Sequence, residues 1–347
     1  MRLLIAGGGT GGHLFPALAV ARARRAEEPD APILVVGRAG GPEEELVPAA
    51  GFDFETVRIR GLDRDAVWRN AALPVLIPMA LGKALEIVDR FRPDVVLGMG
   101  GYVMAPLIAA ARLRRIPYVL HEKDVRPGLA TRFFVRRAAA ICTTLPGTEK
   151  RLPGLRVVLT GVPLREGFQR RTPDIPPRRL LITGGSQGAR HINEVVWSAL
   201  DDLCSIFEEV VHVAGSQGAA GLAAHSRPGY TGLPFVENMP ALLNRMDLVV
   251  GRAGVGTIAE SAAVGLPMIL VPGTFGGGHQ EENAQAMVDA GAAVRIGDAE
   301  LTAESLIRVL KSLDAEKLRT MAAASAASSR PGAASRVLSV LHEVARR

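Results

Sequence analysis

The sequence predicts an α/β protein made of two doubly wound domains in tandem, and three observations carry that prediction. At 347 residues the chain exceeds one domain of roughly 150, and 48% hydrophobic with 22% charged residues is enough to fill sizeable cores. Short β-branched runs alternate with Ala/Leu-rich stretches, the rhythm of parallel βαβ units. A strand, a glycine turn and a helix start occur twice, as Leu3-Leu4-Ile5-Ala6-Gly7-Gly8-Gly9-Thr10-Gly11-Gly12-His13 and as Leu180-Leu181-Ile182-Thr183-Gly184-Gly185-Ser186-Gln187-Gly188-Ala189-Arg190. An inter-domain cleft lined by the carboxyl ends of both sheets is the expected site.

In chain order, the strand candidates of the first half are 2–6, 32–36, 94–98, 116–120, 139–142 and 156–160. Those of the second are 179–183, 209–213, 247–250 and 267–271, with Ala-rich helices from 302 onward. Between the halves, 165–179 holds Pro173, Pro176, Pro177 and five arginines, the composition of a linker.

Composition narrows the function classes. Ten Phe, three Tyr and two Trp leave the cores to aliphatic residues, and Cys142 and Cys204, far apart, fit a reducing compartment rather than a disulfide scaffold. The start, Arg2-Leu3-Leu4-Ile5-Ala6 and then glycines, is too short for a signal peptide. The longest apolar run, 71–81, contains two prolines and falls short of the ~20 residues that span a bilayer. Charge is uneven: residues 1–160 hold 23 basic and 16 acidic groups, and the remainder 18 and 19. A basic half fits a membrane surface or a nucleic acid, and composition does not choose between them.

The turns carry the chemistry. Gly7–Gly12 satisfies G-x-G-x-x-G after a strand, which permits close backbone approach and aims helix N–H groups at an anion. A dinucleotide site wants an acidic residue at the end of the second strand. Arg38 stands there instead, keeping an NADP-dependent oxidoreductase as an alternative, beside a packing-only role for the glycines. His13 falls in the first helical turn, where the dipole disfavours the imidazolium; it is a candidate base, or else a capping residue. His121-Glu122 at a strand end, and Asp124, fall on the same side. A third glycine cluster, Gly251-Arg252-Ala253-Gly254-Val255-Gly256-Thr257-Ile258-Ala259-Glu260, places a glycine turn at a helix start with Glu260 one turn in, in reach of ribose hydroxyls. Asp63-Arg64-Asp65 matches the D-x-D of metal-dependent sugar transfer but lacks a preceding apolar strand, and reads as a solvated loop.

Segments 7–21 (GGGTGGHLFPALAVA), 98–117 (GMGGYVMAPLIAAARLRRIP), 121–132 (HEKDVRPGLATR), 160–165 (TGVPLR), 184–193 (GGSQGARHIN), 252–272 (RAGVGTIAESAAVGLPMILVP) and 279–284 (HQEENA) together resemble the MurG family of cell-wall N-acetylglucosaminyltransferases. The resemblance runs in order along nearly the whole chain. It implies a GT-B-type pair of Rossmann-like domains: 1–160 for the acceptor and the membrane, 161–333 for the UDP-sugar donor, with a last helix at about 334–347 packing back on the first. By position it puts Thr10, Gly11, Gly12, Asp124, Arg165, Ser186, Val236, Val255, Gly256, Thr257, Ile258, Ala259, Glu260 and Gln280 at the donor, and His13 or Glu122 as the base. Departures from the family pattern are Asp124 for the usual Asn, Val162 for the Asn before Pro163, and a Gly-rich 273–278.

The implied reaction moves N-acetylglucosamine from UDP-N-acetylglucosamine to the 4-hydroxyl of undecaprenyl-pyrophosphoryl-N-acetylmuramyl-pentapeptide, with inversion and no metal or cofactor. A lipid acceptor gives the apolar run a purpose. Leu73, Val75, Leu76, Ile77, Met79 and Leu81, with Arg69, Lys83, Arg90 and Arg92, have the mix of an interfacial anchor on an anionic leaflet, or else are the core of an ordinary helix. Arg112, Arg114, Arg115, Arg132, Arg136 and Arg137 widen the basic face, and the expected location is peripheral, on the cytoplasmic face of the cell membrane. Proteins of cell-wall synthesis or division are the expected partners, and nucleic acid drops out for want of a recognition motif. A UDP-sugar epimerase, a glycolipid synthase and a non-catalytic sugar-nucleotide-binding protein remain as alternatives.

Overall fold

The computed structural model describes residues 1–8, 11–61, 67–185, 187–274 and 278–346, and only the backbone of residues 67 and 69. The chain divides into two compact units, Met1–Arg165 with Gly332–Arg347, and Glu166–Pro331.

The first unit holds seven strands: β1 (Leu3–Ala6), β2 (Ile33–Arg38), β3 (Asp53–Val57), β4 (Val95–Gly98), β5 (Tyr118–Glu122), β6 (Ala140–Thr143) and β7 (Val157–Leu159). They form one parallel sheet in the order β3-β2-β1-β4-β5-β6-β7. Successive side chains alternate between faces. Leu3, Ile5, Val35 and Leu97 enter one core with Leu14, Leu18 and Leu341, while Leu4, Val36, Val96 and Leu120 enter the other with Ile87, Leu107 and Ile108. Burial on both faces makes these strands read as continuous apolar runs. The last helix, Ala333–Ala345, belongs to this unit: it buries Val337, Leu338, Val340, Leu341 and Val344 in the first core, each contributing about 1.5–3 kcal/mol. Arg336 ties it down by donating twice to the Thr160 carbonyl, at 3.0 and 2.7 Å.

The second unit repeats the plan with β8 (Arg179–Thr183), β9 (Glu209–Val213), β10 (Tyr230–Leu233), β11 (Leu248–Gly251), β12 (Met268–Leu270) and β13 (Ala293–Arg295), all parallel, in the order β10-β9-β8-β11-β12-β13. Three strands lay outside the sequence reading: β3, β10 and β13. All are edge strands; their half-covered faces accept Asp53, Glu55, Thr231 and Arg295, so the apolar run is lost.

Two sequence expectations need correction. Of the linker-like segment 165–179, Arg165 belongs to the first unit and 166–179 is pinned to the second. Asp247, wholly buried, accepts from the backbone N–H groups of Asp174 (3.1 Å), Arg178 (3.2 Å) and Arg179 (2.9 Å) and pairs with the guanidinium groups of Arg171 and Arg179. The apolar run 71–81 is also part of a longer element. A helix from Leu73 to Phe91 follows a 3-10 turn, and Asn70–Phe91 is long and apolar enough, by length and composition, to cross a membrane. It is a domain helix, burying Leu73, Ala80, Ala84, Ile87 and Val88 beside the helix Met104–Leu113. Pro74 opens it and Pro78 still lies within its first turns, where few intrahelical N–H bonds are lost. Asp63-Arg64-Asp65 lies outside the described residues.

Burial alone would raise the Asp247 carboxyl pKa, but hydrogen bonds from Arg179 and the backbone hold it below its ordinary value. A depressed pKa means stabilisation that is present above the unfolded-state pKa and lost as pH falls through the folded one. Asp247→Asn is therefore expected to lower the stability of the second unit by about 2–3 kcal/mol at pH 7 in urea titrations. The gap between variant and wild type should narrow below about pH 4.

Candidate functional site

In each sheet the chain order reverses beside the first strand: between β1 and β4 in the first unit, between β8 and β11 in the second. Such switch points open a crevice at the carboxyl ends of the strands. The glycine clusters 7–12, 184–188 and 251–256 each follow one of these four strands, and so does the pair Gly100-Gly101, whereas the Gly-rich 273–278 follows β12.

At the first switch point, β1 runs through Gly7 and Gly8 into the helix Gly11–Glu27, whose first turn carries His13. β4 runs into Gly100 and Gly101, both with positive φ (94° and 72°). The His13 ring lies against these two glycines. A Cβ on Gly100 would fall 3.1 Å from Cδ2 and Nε2, and one on Gly101 3.3 Å from Cε1. His13 is half-buried, and partial desolvation of its ring, then the charge of Lys123 and the proximity of His121, drive its pKa well below the ordinary value, so the imidazole is neutral at physiological pH. His121, buried at the end of β5, lies 3.3 Å through Nε2 from the Gly161 carbonyl, and burial lowers its pKa to about 4.

Glu122 is committed locally. Its carboxyl accepts from the N–H groups of Asp124 (3.2 Å) and Gly128 (3.1 Å) and from the Thr131 hydroxyl, and burial raises its pKa. It organises the turn that carries Lys123 and Asp124. The Arg165 guanidinium stacks on the Phe15 ring, 4.8 Å from its centroid, one helical turn from Gly11 and Gly12. The buried Glu43 carboxyl group packs closely on Gly8 and Gly41, so a side chain on either would have to displace it.

At the second switch point, the helix Val255–Val264 starts just beyond β11. Among the described residues, a Cβ on Gly254 or Gly256 would meet nothing within 4 Å, so packing against them does not account for these glycines at the helix start. Thr257, Ala259 and Glu260 are half-buried on this helix, whereas the Val255 and Ile258 side chains are core residues and only their backbone can face a ligand. Gln280 accepts from the Gly273 N–H at 2.9 Å, the buried Asn283 amide donates to the Ala253 carbonyl at 3.3 Å, and Arg252 pairs with Asp298. Val236 is half-buried in the turn after β10. Thr10 and Ser186 lie outside the described residues. Gly100, Gly101, Lys123 and Asn283 were not singled out from the sequence; the only signal was Met99-Gly100-Gly101, a second glycine turn ending an apolar strand.

Of the membrane-facing set, Leu76 and Leu81 are half-buried and Ile77 is 52% exposed, but Leu73 is a core residue: it faces inward at the helix start. The Arg69 side chain lies outside the described residues. Lys83 pairs with Glu86 at 2.8 Å and lies 3.9 Å from Glu55, so its charge is largely offset. Val75 and Met79 of the same run are exposed as well, and exposed apolar groups that the sequence reading left out include Trp68, Leu113, Leu129 and Phe133.

The glycosyltransferase family 28 N-terminal domain model matches residues 3–143 and the family 28 C-terminal domain model residues 179–337, so the chain belongs to glycosyltransferase family 28. It is 38% identical over 364 residues (98% of each chain) to the UDP-N-acetylglucosamine–N-acetylmuramyl-(pentapeptide) pyrophosphoryl-undecaprenol N-acetylglucosamine transferase of Moorella thermoacetica. To the protein of the same name from Desulforudis audaxviator it is 38% identical over 372 residues (99% of each). The crystal structure of Acinetobacter baumannii MurG superposes with a TM-score of 0.80 at 28% identity, covering 99% of both chains. Within family 28, then, the chain is a member of the MurG family of N-acetylglucosaminyltransferases.

Because Gly100 has φ 94° and abuts the His13 ring, Gly100→Ala is expected to displace that ring. Steady-state transfer assays should give a kcat at least about tenfold lower in a protein that still folds.

Proposed function

We propose that the chain transfers N-acetylglucosamine from UDP-N-acetylglucosamine to the 4-hydroxyl of undecaprenyl-pyrophosphoryl-N-acetylmuramyl-pentapeptide, with inversion, as a step of peptidoglycan synthesis. The observation that carries the reading is the neutral His13 held at the first switch point beside an anion-receptive helix start, in a chain whose other unit has a glycine-bearing helix start at its own switch point. Inversion by single displacement needs a base on the attacking hydroxyl and stabilisation of the departing diphosphate. His13 is the base: its neutral imidazole accepts the hydroxyl proton as the oxygen attacks the anomeric carbon. Glu122, whose carboxyl is taken up by its own turn, acts as the organiser of that turn.

The helix starts at Gly11-Gly12 and Val255-Gly256, with Lys123 and Arg165, stabilise the negative charge that gathers on UDP. Glu260 holds the ribose hydroxyls; Thr257, the backbone at Val255, Ile258 and Ala259, and Gln280 complete the nucleotide contacts, together with Val236, Thr10, Ser186 and Asp124. The first unit serves the acceptor and the second is the main donor unit.

A lipid-linked acceptor calls for a membrane surface. Val75, Ile77 and Met79 are 63%, 52% and 59% exposed on one helix, and the same unit also exposes Leu113, Phe133 and the side chains of Arg112, Arg115, Arg132, Arg136 and Arg137. This mixture suits an interfacial position on an anionic leaflet. Lys83, Arg90 and Arg114 add less, because each is paired with a carboxylate.

UDP release measured with UDP-N-acetylglucosamine and a lipid-linked muramyl-peptide analogue is expected to be acceptor-dependent. In His13→Ala it should fall by about 10² or more; full activity in that variant rules out the base assignment, and absence of acceptor-dependent release rules out the reaction. Ile77→Glu with Met79→Glu is expected to reduce sedimentation with anionic liposomes while leaving turnover of a soluble acceptor analogue intact. Unchanged sedimentation contradicts the membrane reading.

A further inference from the structure

The second unit contains a buried polar chain that the chemistry above does not use. His212, in β9, is wholly buried; its Nδ1 lies 2.9 Å from the Tyr230 hydroxyl and its Nε2 3.0 Å from Asn193 Oδ1. The direction of every bond follows from its far end. Asn193 Nδ2 donates to the Ala214 carbonyl at 2.9 Å, so its amide oxygen faces His212 and must accept. His212 therefore carries its proton on Nε2, and Nδ1 accepts from Tyr230. The Tyr230 oxygen in turn accepts from Trp197 Nε1–H at 3.2 Å. One proton arrangement satisfies all four bonds, and it needs a neutral imidazole. Burial supplies that by lowering the His212 pKa to about 4.

The chain ends where two loops touch. The Ala214 carbonyl presses on Gly188 so closely that a Cβ there would collide with it, and a Cβ on Gly215 would collide with the Gly188 backbone. Gln217 N–H donates to the Gln187 carbonyl at 3.3 Å. The backbone at Gln187-Gly188, just before the helix Arg190–Ser198, is thus held by the loop 214–218. That loop is held in turn by Asn193, on the same helix.

We propose that His212 and Asn193 are positioning residues for the donor: through the Ala214 carbonyl they fix the backbone at Gln187-Gly188, in the glycine turn that serves the sugar nucleotide. The inference rests on the reading of that turn as a donor contact. Neither side chain touches the donor. A neutral imidazole is suited to the task because it donates on one side and accepts on the other, so it locks the Asn193 amide in one orientation. A side chain without that polarity would leave the amide able to turn and the loop able to drift.

The test measures UDP binding by calorimetry, and KM for UDP-N-acetylglucosamine and for the acceptor separately, in the full chain and in His212→Leu and His212→Gln. In His212→Leu, the UDP dissociation constant and the donor KM are expected to rise about tenfold, with the acceptor KM within about twofold. His212→Gln, which keeps a donor toward Asn193, should recover most of the loss. Unchanged UDP affinity in His212→Leu overturns the proposal, as does an equal rise in both KM values. Should His212→Leu not fold, nitrogen-15 NMR of the wild type decides: the Nε2–H tautomer persisting down to pH 5 supports the chain, and the opposite tautomer or titration near pH 6.5 overturns it. Wild-type protein that fails to bind UDP removes the donor-loop reading itself, whereas wild-type binding with unaltered variants removes only the role of His212.

Discussion

The site depends on one close approach. The His13 ring occupies space that exists because Gly100 and Gly101 have no side chains, and both glycines hold positive φ, a region that L side chains rarely enter. Topology places the approach: β1 and β4 are neighbours with divergent connections, so the turns that leave them flank one crevice. Enclosure then sets the chemistry. A histidine in water is partly charged near neutrality, whereas this one, partly desolvated and near Lys123, is held as the free base. The same enclosure limits its basicity, so proton transfer must be coupled to bond formation at the anomeric carbon, where the developing oxonium is far more acidic than the resting alcohol.

The second unit solves a different problem with the same fold. Two groups of its glycines stand apart: Gly184, Gly188 and Gly215 have backbone where a Cβ would stand, while among the described residues a Cβ on Gly254 or Gly256 would meet nothing within 4 Å at the helix start. A helix start presents N–H groups to a diphosphate without requiring a basic side chain at each oxygen, which fits the near-neutral charge of residues 161–347. The excess positive charge of the first 160 residues falls instead on the unit with the exposed apolar helix face.

Much of this was legible in the sequence because a parallel sheet buried on both faces writes itself as apolar runs, and ten runs read that way are strands. The edges were not legible: Asp53 and Glu55 in β3, or Arg295 in β13, look like loop residues until a neighbouring strand is known. The glycine turns and His13 stood out, since strand, glycines and helix start form a local pattern. Gly100 and Gly101 did not, because their meaning lies in a contact with a residue almost ninety positions away. Glu122 reads from sequence as a second base, and only its bonds to Asp124 and Gly128 show the carboxyl to be occupied. Likewise 165–179 has the composition of a free linker, but a buried Asp247 distant in sequence collects its arginines and backbone.

The central claim is that a neutral His13, kept neutral by enclosure, takes the acceptor proton. The pH dependence of kcat/KM for the lipid-linked acceptor tests it most directly, because that profile reports groups of the free enzyme. The account predicts an acid limb well below pH 6.5 in the wild type that vanishes from the residual activity of His13→Gln. A limb at or above pH 6.5, or one that survives unchanged in the variant, would contradict it.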